Sequence, residues 1–201
     1  YQGTDFASGT YDGLSLASPW ALRTYDTRVF LLTAATASSR ILEFTRKGEF
    51  VKTIVSFGAG ITADAFAISY DGKTFYVSDS FTSNAVFRVD RGTGAFTTFL
   101  TQAQTGSHVR ELHVCKNGDI VTASREGNRI SIFNPSGALV TNYTANAVQS
   151  MLYDEDAGCI YWGSSGSAVN MIDLATGGTA TLLNAHGGSS IGLIRGPDDE
   201  L

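Results

Sequence analysis

Four stretches of the chain share one pattern, and this internal repeat constrains the fold more than any other feature. Each stretch contains four short apolar or alternating runs. The second runs begin at Arg28, Lys73, Asp119 and Cys159, at spacings of 45, 46 and 40 residues. A repeat of this length, built from four short strands, is typical of one blade of a β-propeller.

The composition of the runs supports strands rather than helices. Runs such as TFYVSD, AVFRVD and ISIFN alternate in polarity and are rich in β-branched and aromatic residues. Asp71-Gly72 and Asn117-Gly118 supply the positive φ angles that tight hairpins need. An accidental similarity within a β-sandwich is the alternative, but the fourfold recurrence with its turns in place favours the propeller.

We therefore predict an all-β fold, a β-propeller of four-stranded antiparallel blades with about four full blades and two partial ones. The full blades are expected at residues 19–58, 64–101, 109–144 and 148–184. Residues 1–18 match the end of a blade, and residues 189–201 match the start of a further one. If the two partial blades closed one blade, a strand would be missing and backbone edges would stay unpaired. We therefore expect a segment of a longer polypeptide, with about six or seven blades in the ring.

Two of the repeats resemble NHL-repeat propellers. The resemblance rests on the stretches EGNRISIFNPSGALV and SSRILEFTRKGEFVKTI, which match the family's N-R-I-x-x-F-D-x-x-G hairpin at Asn128, Arg129, Ile130, Phe133 and Gly137, and at Arg40, Ile41, Phe44 and Gly48. The stretch YDGKTFYVSDSFTSNAVFRVDRGTGAFTTF is also similar to propeller repeats of large secreted bacterial surface proteins. The resemblance implies the fold and an extracellular or cell-surface location. It implies no activity, because one fold hosts many functions.

Charge and hydropathy exclude two classes of partner. The net charge is -5 and only four residues are lysine, whereas nucleic-acid binding requires a basic face. No stretch approaches the ~20 consecutive apolar residues of a membrane helix. We expect neither nucleic-acid binding nor membrane insertion.

Loops at one face of a propeller surround the channel that the first strands line, and this face is the usual binding surface. The residues predicted there as binding candidates are Trp20, Asp64, Asp79, His108, Arg110, Arg125 and His186. Ser80, Glu126 and Ser164 lie in the same class of loop. The alternative is that these side chains are solvated loop residues without a ligand.

The function predicted from these features is a non-enzymatic extracellular module for binding or assembly. Its partner would be a protein or a glycan on the propeller face, or further copies of the chain. We predict no catalytic residues, no metal and no cofactor. One alternative is a structural subunit of a surface filament or layer, which the Ser-, Thr-, Gly- and Ala-rich, lysine-poor composition suits.

A second alternative is a lactonase-like, metal-dependent hydrolase. Such an enzyme holds a divalent cation with oxygen ligands from several blades at the channel mouth. Asp64 and Glu111 are the acids near that level, and no Ser-His-Asp order or zinc motif is recognisable.

Five further expectations concern individual residues or residue pairs. Cys115 and Cys159 lie near equivalent turns of neighbouring blades, and both a disulfide and two buried thiols remain open. Asn142 begins the one N-glycosylation sequon, Asn-Tyr-Thr. His113 is expected to be a hydrogen-bonded structural histidine, and Tyr161-Trp162 to pack between blades. Phe87 is expected to be buried.

Overall fold

The computed structural model of the chain describes residues 10–16, 18–34, 39–166, 168–183 and residue 193. The described residues form four four-stranded antiparallel sheets, a two-stranded hairpin and one helical turn. The predicted fold class, a propeller of four-stranded blades, is confirmed.

The strands follow one another along the chain as successive blades. The hairpin consists of β1 (Thr10–Tyr11) and β2 (Leu14–Ser15). The first blade consists of β3 (Pro19–Tyr25), β4 (Arg28–Thr33), β5 (Arg40–Thr45) and β6 (Phe50–Ser56). The second consists of β7 (Ala63–Ile68), β8 (Thr74–Asp79), β9 (Val86–Asp90) and β10 (Phe96–Leu100), and α1 (Gln102–Thr105) follows it. The third consists of β11 (Val109–Val114), β12 (Ile120–Ser124), β13 (Arg129–Phe133) and β14 (Leu139–Thr144). The fourth consists of β15 (Val148–Asp154), β16 (Cys159–Ser164), β17 (Val169–Asp173) and β18 (Thr179–Leu183).

Each blade is a meander in which every strand pairs with the next one in sequence. The first strands of successive blades lie side by side: β3 contacts β7, β7 contacts β11 and β11 contacts β15. These four inner strands therefore line the central channel, and β6, β10, β14 and β18 form the outer edges.

Hydrophobic side chains cover both faces of the sheets, so that neighbouring blades share a core. In β4, Val29 and Leu31 pack toward the β1–β2 hairpin, whereas Phe30 and Leu32 pack toward the second blade. The rings of Phe30 and Phe75 join the first two blades, with centroids 5.1 Å apart. Phe87 is buried, as expected, at 7% exposure.

The structure describes only parts of the two ranges that were predicted to be partial blades. The hairpin falls within predicted range 1–18, and residues 1–9 lie outside the described part. Of the range 189–201, only residue 193 is described. Among the described residues, no helix is long and apolar enough to span a membrane.

Candidate functional site

The inner strand of every blade contains an irregularity near its start. The pairing of the inner strand with its neighbour shifts register between Pro19 and Ala21, between Ala63 and Phe66, between Val109 and Glu111, and between Val148 and Ser150. Such a β-bulge adds an unpaired residue, bends the strand and changes the direction of the side chain there. The residues within the shifts include Trp20, Asp64, Arg110 and Gln149, one from each blade.

These four residues, hereafter the channel mouth, line one cavity of about 660 Å³. The remaining walls come from the same four inner strands, together with Leu193. Side chains far apart in sequence therefore meet because each blade repeats the same bulge at the same level of the channel.

An ion pair crosses the mouth between the second and third blades. Arg110 donates from Nη1 to the Asp64 carboxylate, with the shorter N–O distance at 3.2 Å. The Asp64 side chain is 1% exposed and that of Arg110 is 19% exposed, so the acid lies beneath the base. The Arg110 guanidinium carbon lies 5.7 Å from the centre of the Trp20 ring, within range of a cation–π contact.

His108 extends this cluster on the side of the third blade. Its Nε2 lies 3.5 Å from Asp64 Oδ2 and its Nδ1 lies 3.3 Å from Glu126 Oε1, so the imidazole stands between two carboxylates. The Phe81 ring lies 5.0 Å from the His108 ring. His108 has a φ of 62°, and its N–H donates to Asn84 Oδ1 at 2.9 Å. Histidine tolerates this left-handed region better than most residues, and the Asn84 bond holds it there.

A second ion pair lies deeper in the channel. Arg23 on the first blade binds Glu111 on the third, and the Arg23 guanidinium carbon lies 5.7 Å from the centre of the Phe66 ring. Burial raises the pKa of Glu111, and the charge of Arg23 opposes that shift. The pair ties together two blades across the intervening one.

His113 occupies the same channel wall and corrects an expectation. The sequence predicts a hydrogen-bonded structural histidine, but no described residue bonds its buried Nε2. Its ring instead meets the Tyr153 ring edge-on at 5.0 Å. Burial lowers the pKa of His113, because the charged form loses hydration.

Among the residues that the structure describes, the other predicted candidates do not line the cavity. Asp79 is fully buried, and its carboxylate accepts hydrogen bonds from the backbone of residues 62 and 81–83, so it shapes its own loop. Arg125 does not line the cavity, although its N–H donates to the His108 carbonyl. Ser80 donates to the Val109 carbonyl at 2.7 Å. His186 lies outside the described residues.

Both cysteines are free thiols in the structure, as in the second of the two alternatives. Cys115 is buried in the apolar cluster between the third and fourth blades, which also contains Met151 and Tyr153. The Cys159 thiol points instead to the Ala157 carbonyl, 3.5 Å away. The two sulfur atoms therefore have separate surroundings. Trp162 packs in the same interblade cluster as Cys115, and Asn142 is exposed on β14.

Sequence reasoning missed Gln149. The signal was present, because Val148-Gln149-Ser150 occupies the place of Val109-Arg110-Glu111 and of Pro19-Trp20-Ala21. The sequence alone does not place Gln149 at this level, because a bulge cannot be located from periodicity.

The described residues contain no group of three or more His, Cys, Asp or Glu side chains that could hold a metal ion. The lactonase-like alternative, which needs oxygen ligands from several blades, stays a prediction.

Comparison with known proteins supports the fold. No protein-family model and no curated protein matches the chain. Among solved structures, hydrazine synthase from Kuenenia stuttgartiensis superimposes with a TM-score of 0.66 at 16% identity, over 90% of this chain and 52% of that one. Virginiamycin B lyase from Staphylococcus aureus superimposes with a TM-score of 0.71, also at 16% identity, over 91% of this chain and 61% of that one. The chain thus spans between about half and three fifths of the length of these structures.

Proposed function

We propose that the chain is an extracellular binding module whose channel mouth takes a small ligand with a carboxylate and a flat or apolar face. The observation that carries the proposal is the convergence of Trp20, Asp64, Arg110 and Gln149 on one cavity of about 660 Å³. A concave site with a few convergent polar groups is the usual form of a ligand site. The extracellular location is supported by the lysine-poor composition.

Arg110 and Trp20 define the ligand class. Nη1 of Arg110 lies within hydrogen-bond distance of Asp64 and His108. No described residue forms a hydrogen bond with Nε or Nη2 of Arg110. These two donors form the planar edge that binds carboxylates in bidentate fashion. The Trp20 ring lies 5.7 Å from the Arg110 guanidinium carbon and is 51% exposed, so a ring or alkyl group on the same ligand can cover its exposed part.

The test is calorimetric titration with benzoate and with benzamide, which has the same ring but no charge. We expect benzoate to bind with a Kd of roughly 1 mM, as befits a fragment of this size, and benzamide to bind more weakly. Arg110→Gln should remove the preference for benzoate, and Trp20→Ala should weaken both ligands.

Arg125→Gln is the matched control, because it removes the same charge from the same face without changing the cavity wall. Absence of benzoate binding, or equal binding by wild type and Arg110→Gln, would contradict the proposal.

The position of His108 favours an enzyme as the second candidate. An imidazole between two carboxylates is suited to proton transfer, and the two superimposed structures carry the names of a lyase and a synthase. If the site is catalytic, His108→Gln should keep benzoate binding but lose hydrolysis of γ-butyrolactone or 4-nitrophenyl acetate. Rates equal in wild type and variant would exclude His108-dependent hydrolysis of these two substrates.

A further inference from the structure

A second cavity, of about 680 Å³, lies between the outer parts of the third and fourth blades. Its walls are formed by β14, β16, β17 and β18, away from the channel. We call it the polar cleft. The residues that line it are Asn142, Tyr143, Thr144, Asn146, Trp162, Ser164, Ala168, Asn170, Gly177, Thr179, Ala180 and Thr181.

The corresponding space between the first and second blades is filled by three aromatic rings. Phe57, which follows β6, lies 5.0 Å from Phe96 and 6.1 Å from Phe87 between ring centroids. Phe87 and Phe96 are 5.6 Å apart. Phe57 and Phe87 belong to the buried core of that interface, and Phe96 packs against it.

Strand register identifies the residues that replace these rings in the polar cleft. In the second blade Phe87 pairs with Val77, and at the same place in the fourth blade Asn170 pairs with Trp162. In the same way, Phe96 pairs with Val89 in the second blade, and Thr179 pairs with Ile172 in the fourth. Phe57 donates its N–H to the residue before β5, and Ala145 does the same to the residue before β13. The three phenylalanines therefore correspond to Ala145, Asn170 and Thr179.

The turns before β10 and β18 support this alignment. The Asp90 carboxylate caps the first turn by accepting from the Thr93 N–H, and Asp173 accepts from Thr176 in the second. Gly94 and Gly177 close the two turns with the same backbone bond at 2.8 Å. The polar cleft is thus the same interblade space with its aromatic filling removed.

Trp162 provides a second, independent indication of a ligand. It is 5% exposed and lines the cleft, and no described residue accepts a hydrogen bond from its buried Nε1. A buried N–H without an acceptor is unfavourable, so a small rotation of the Trp162 ring that brings Nε1 to a ligand oxygen in the cleft would be stabilising.

The composition of the cleft indicates the chemistry of that ligand. None of the lining residues is charged, and they present side-chain amides, hydroxyls and the rings of Tyr143 and Trp162. Thr181 donates to Asn170 Oδ1 at 2.9 Å, which leaves the side-chain NH₂ of Asn170 as a donor for a ligand. Hydroxyl-rich neutral molecules match such walls, whereas an anionic ligand would find no cation. We propose that the polar cleft binds a neutral saccharide, at a site separate from the channel mouth.

Tryptophan fluorescence tests the proposal directly. The chain has two tryptophans, so Trp20→Phe leaves Trp162 as the sole emitter. This variant should be titrated with cellohexaose, maltohexaose and hexa-N-acetylchitohexaose, which differ in linkage and substituent. We expect a saturable change in Trp162 emission with at least one of them, and none with the anionic oligogalacturonate.

Refilling the cleft provides the decisive comparison. Asn170→Phe with Thr179→Phe recreates the packing of the first interface and should abolish the emission change. Thr98→Phe is the matched control, because Thr98 holds in the second blade the position of Thr181 and does not line the cleft. Should the refilled variant fail to fold, Asn170→Ala removes the amide alone and should weaken binding by about tenfold. Lack of binding by all three saccharides, or undiminished binding by the refilled variant and by Asn170→Ala, overturns the proposal.

Discussion

Asn170 in the fourth blade occupies the position that Phe87 holds in the second blade. Asn170 pairs with Trp162 and Phe87 pairs with Val77, and both partners lie at the same place in the second strand of their blade. One position of the repeat thus closes an interblade space in one case and leaves it open in the other. Because the blades have the same backbone arrangement, a different side chain at this position changes the surface without changing the fold.

Phe87→Ala should destabilise the protein by about 3–5 kcal/mol, because it removes a buried ring that contacts Phe57 and Phe96. Asn170→Ala at the equivalent position should cost less than about 1 kcal/mol, since that side chain is only half buried. Urea unfolding followed by circular dichroism measures both. Equal losses at the two positions would contradict the proposed correspondence.

Gly94→Ala should be more destabilising than Gly177→Ala, although both glycines have positive φ angles, 74° and 69°. A Cβ on Gly94 would lie 2.3 Å from the Ile54 carbonyl oxygen, whereas a Cβ on Gly177 would meet only the Tyr143 ring, at 3.8 Å. Both variants carry the backbone cost of roughly 1 kcal/mol, and only Gly94→Ala adds a backbone clash. The melting temperature of Gly94→Ala should therefore be well below that of Gly177→Ala. The reverse order would argue against this difference in packing.

Arg110→Met should cost roughly 3 kcal/mol, because it leaves the buried Asp64 carboxylate without its cation. Adding Asp64→Leu should recover part of that loss, since the double variant contains no unpaired charge. A double-mutant cycle of unfolding free energies measures the coupling. Strictly additive effects would show that the pair is not formed in solution.

Low pH should destabilise the protein through His113. Burial lowers the pKa of His113 below the ordinary value of 6.5. As the pH falls through that value, the unfolded chain therefore binds a proton at His113 more readily than the folded chain does. The unfolding free energy should therefore fall as the pH drops below about 6.5. His113→Phe keeps a ring against Tyr153 and should show a shallower fall between pH 7.5 and 5.5. Parallel pH profiles for the two proteins would refute this role of His113.

The two cysteines should differ in reactivity toward a thiol reagent such as Ellman's reagent at pH 8. Burial raises the pKa of Cys115 to about 12, so its reactive thiolate is scarce, and Cys159 is more exposed. We expect about one labelled thiol per native chain, lost in Cys159→Ser, and a second one after denaturation. Labelling that requires prior reduction would instead indicate a disulfide.

The sequence predicts the blades well because each is a local unit. Spacings between Arg28, Lys73, Asp119 and Cys159, together with Asp-Gly and Asn-Gly turns, determine strand number and order within a few residues. Asp64 and Arg110 could be placed at the channel because they precede equivalent apolar runs.

The rest of the site depends on features that periodicity does not carry. The bulges that bring Gln149 and Arg110 to the same cavity shift the register by one residue, and no local residue type marks them. Asp79 resembles a site residue in sequence, but its carboxylate accepts hydrogen bonds from the backbone of its own loop. The polar cleft is visible only when side chains of different blades are compared at matched positions.

If one bulge per blade directs Trp20, Asp64, Arg110 and Gln149 into a common binding cavity, one ligand should affect these side chains together. The most direct measurement is a ¹⁵N-resolved NMR titration with benzoate that follows the Trp20 indole, the Arg110 Nε–H and the Gln149 side-chain amide. We expect all three signals to move together with one Kd, while the Asn142 side-chain amide and Arg125 Nε–H stay unchanged. Movement of only one of the three signals, or of none, would contradict it.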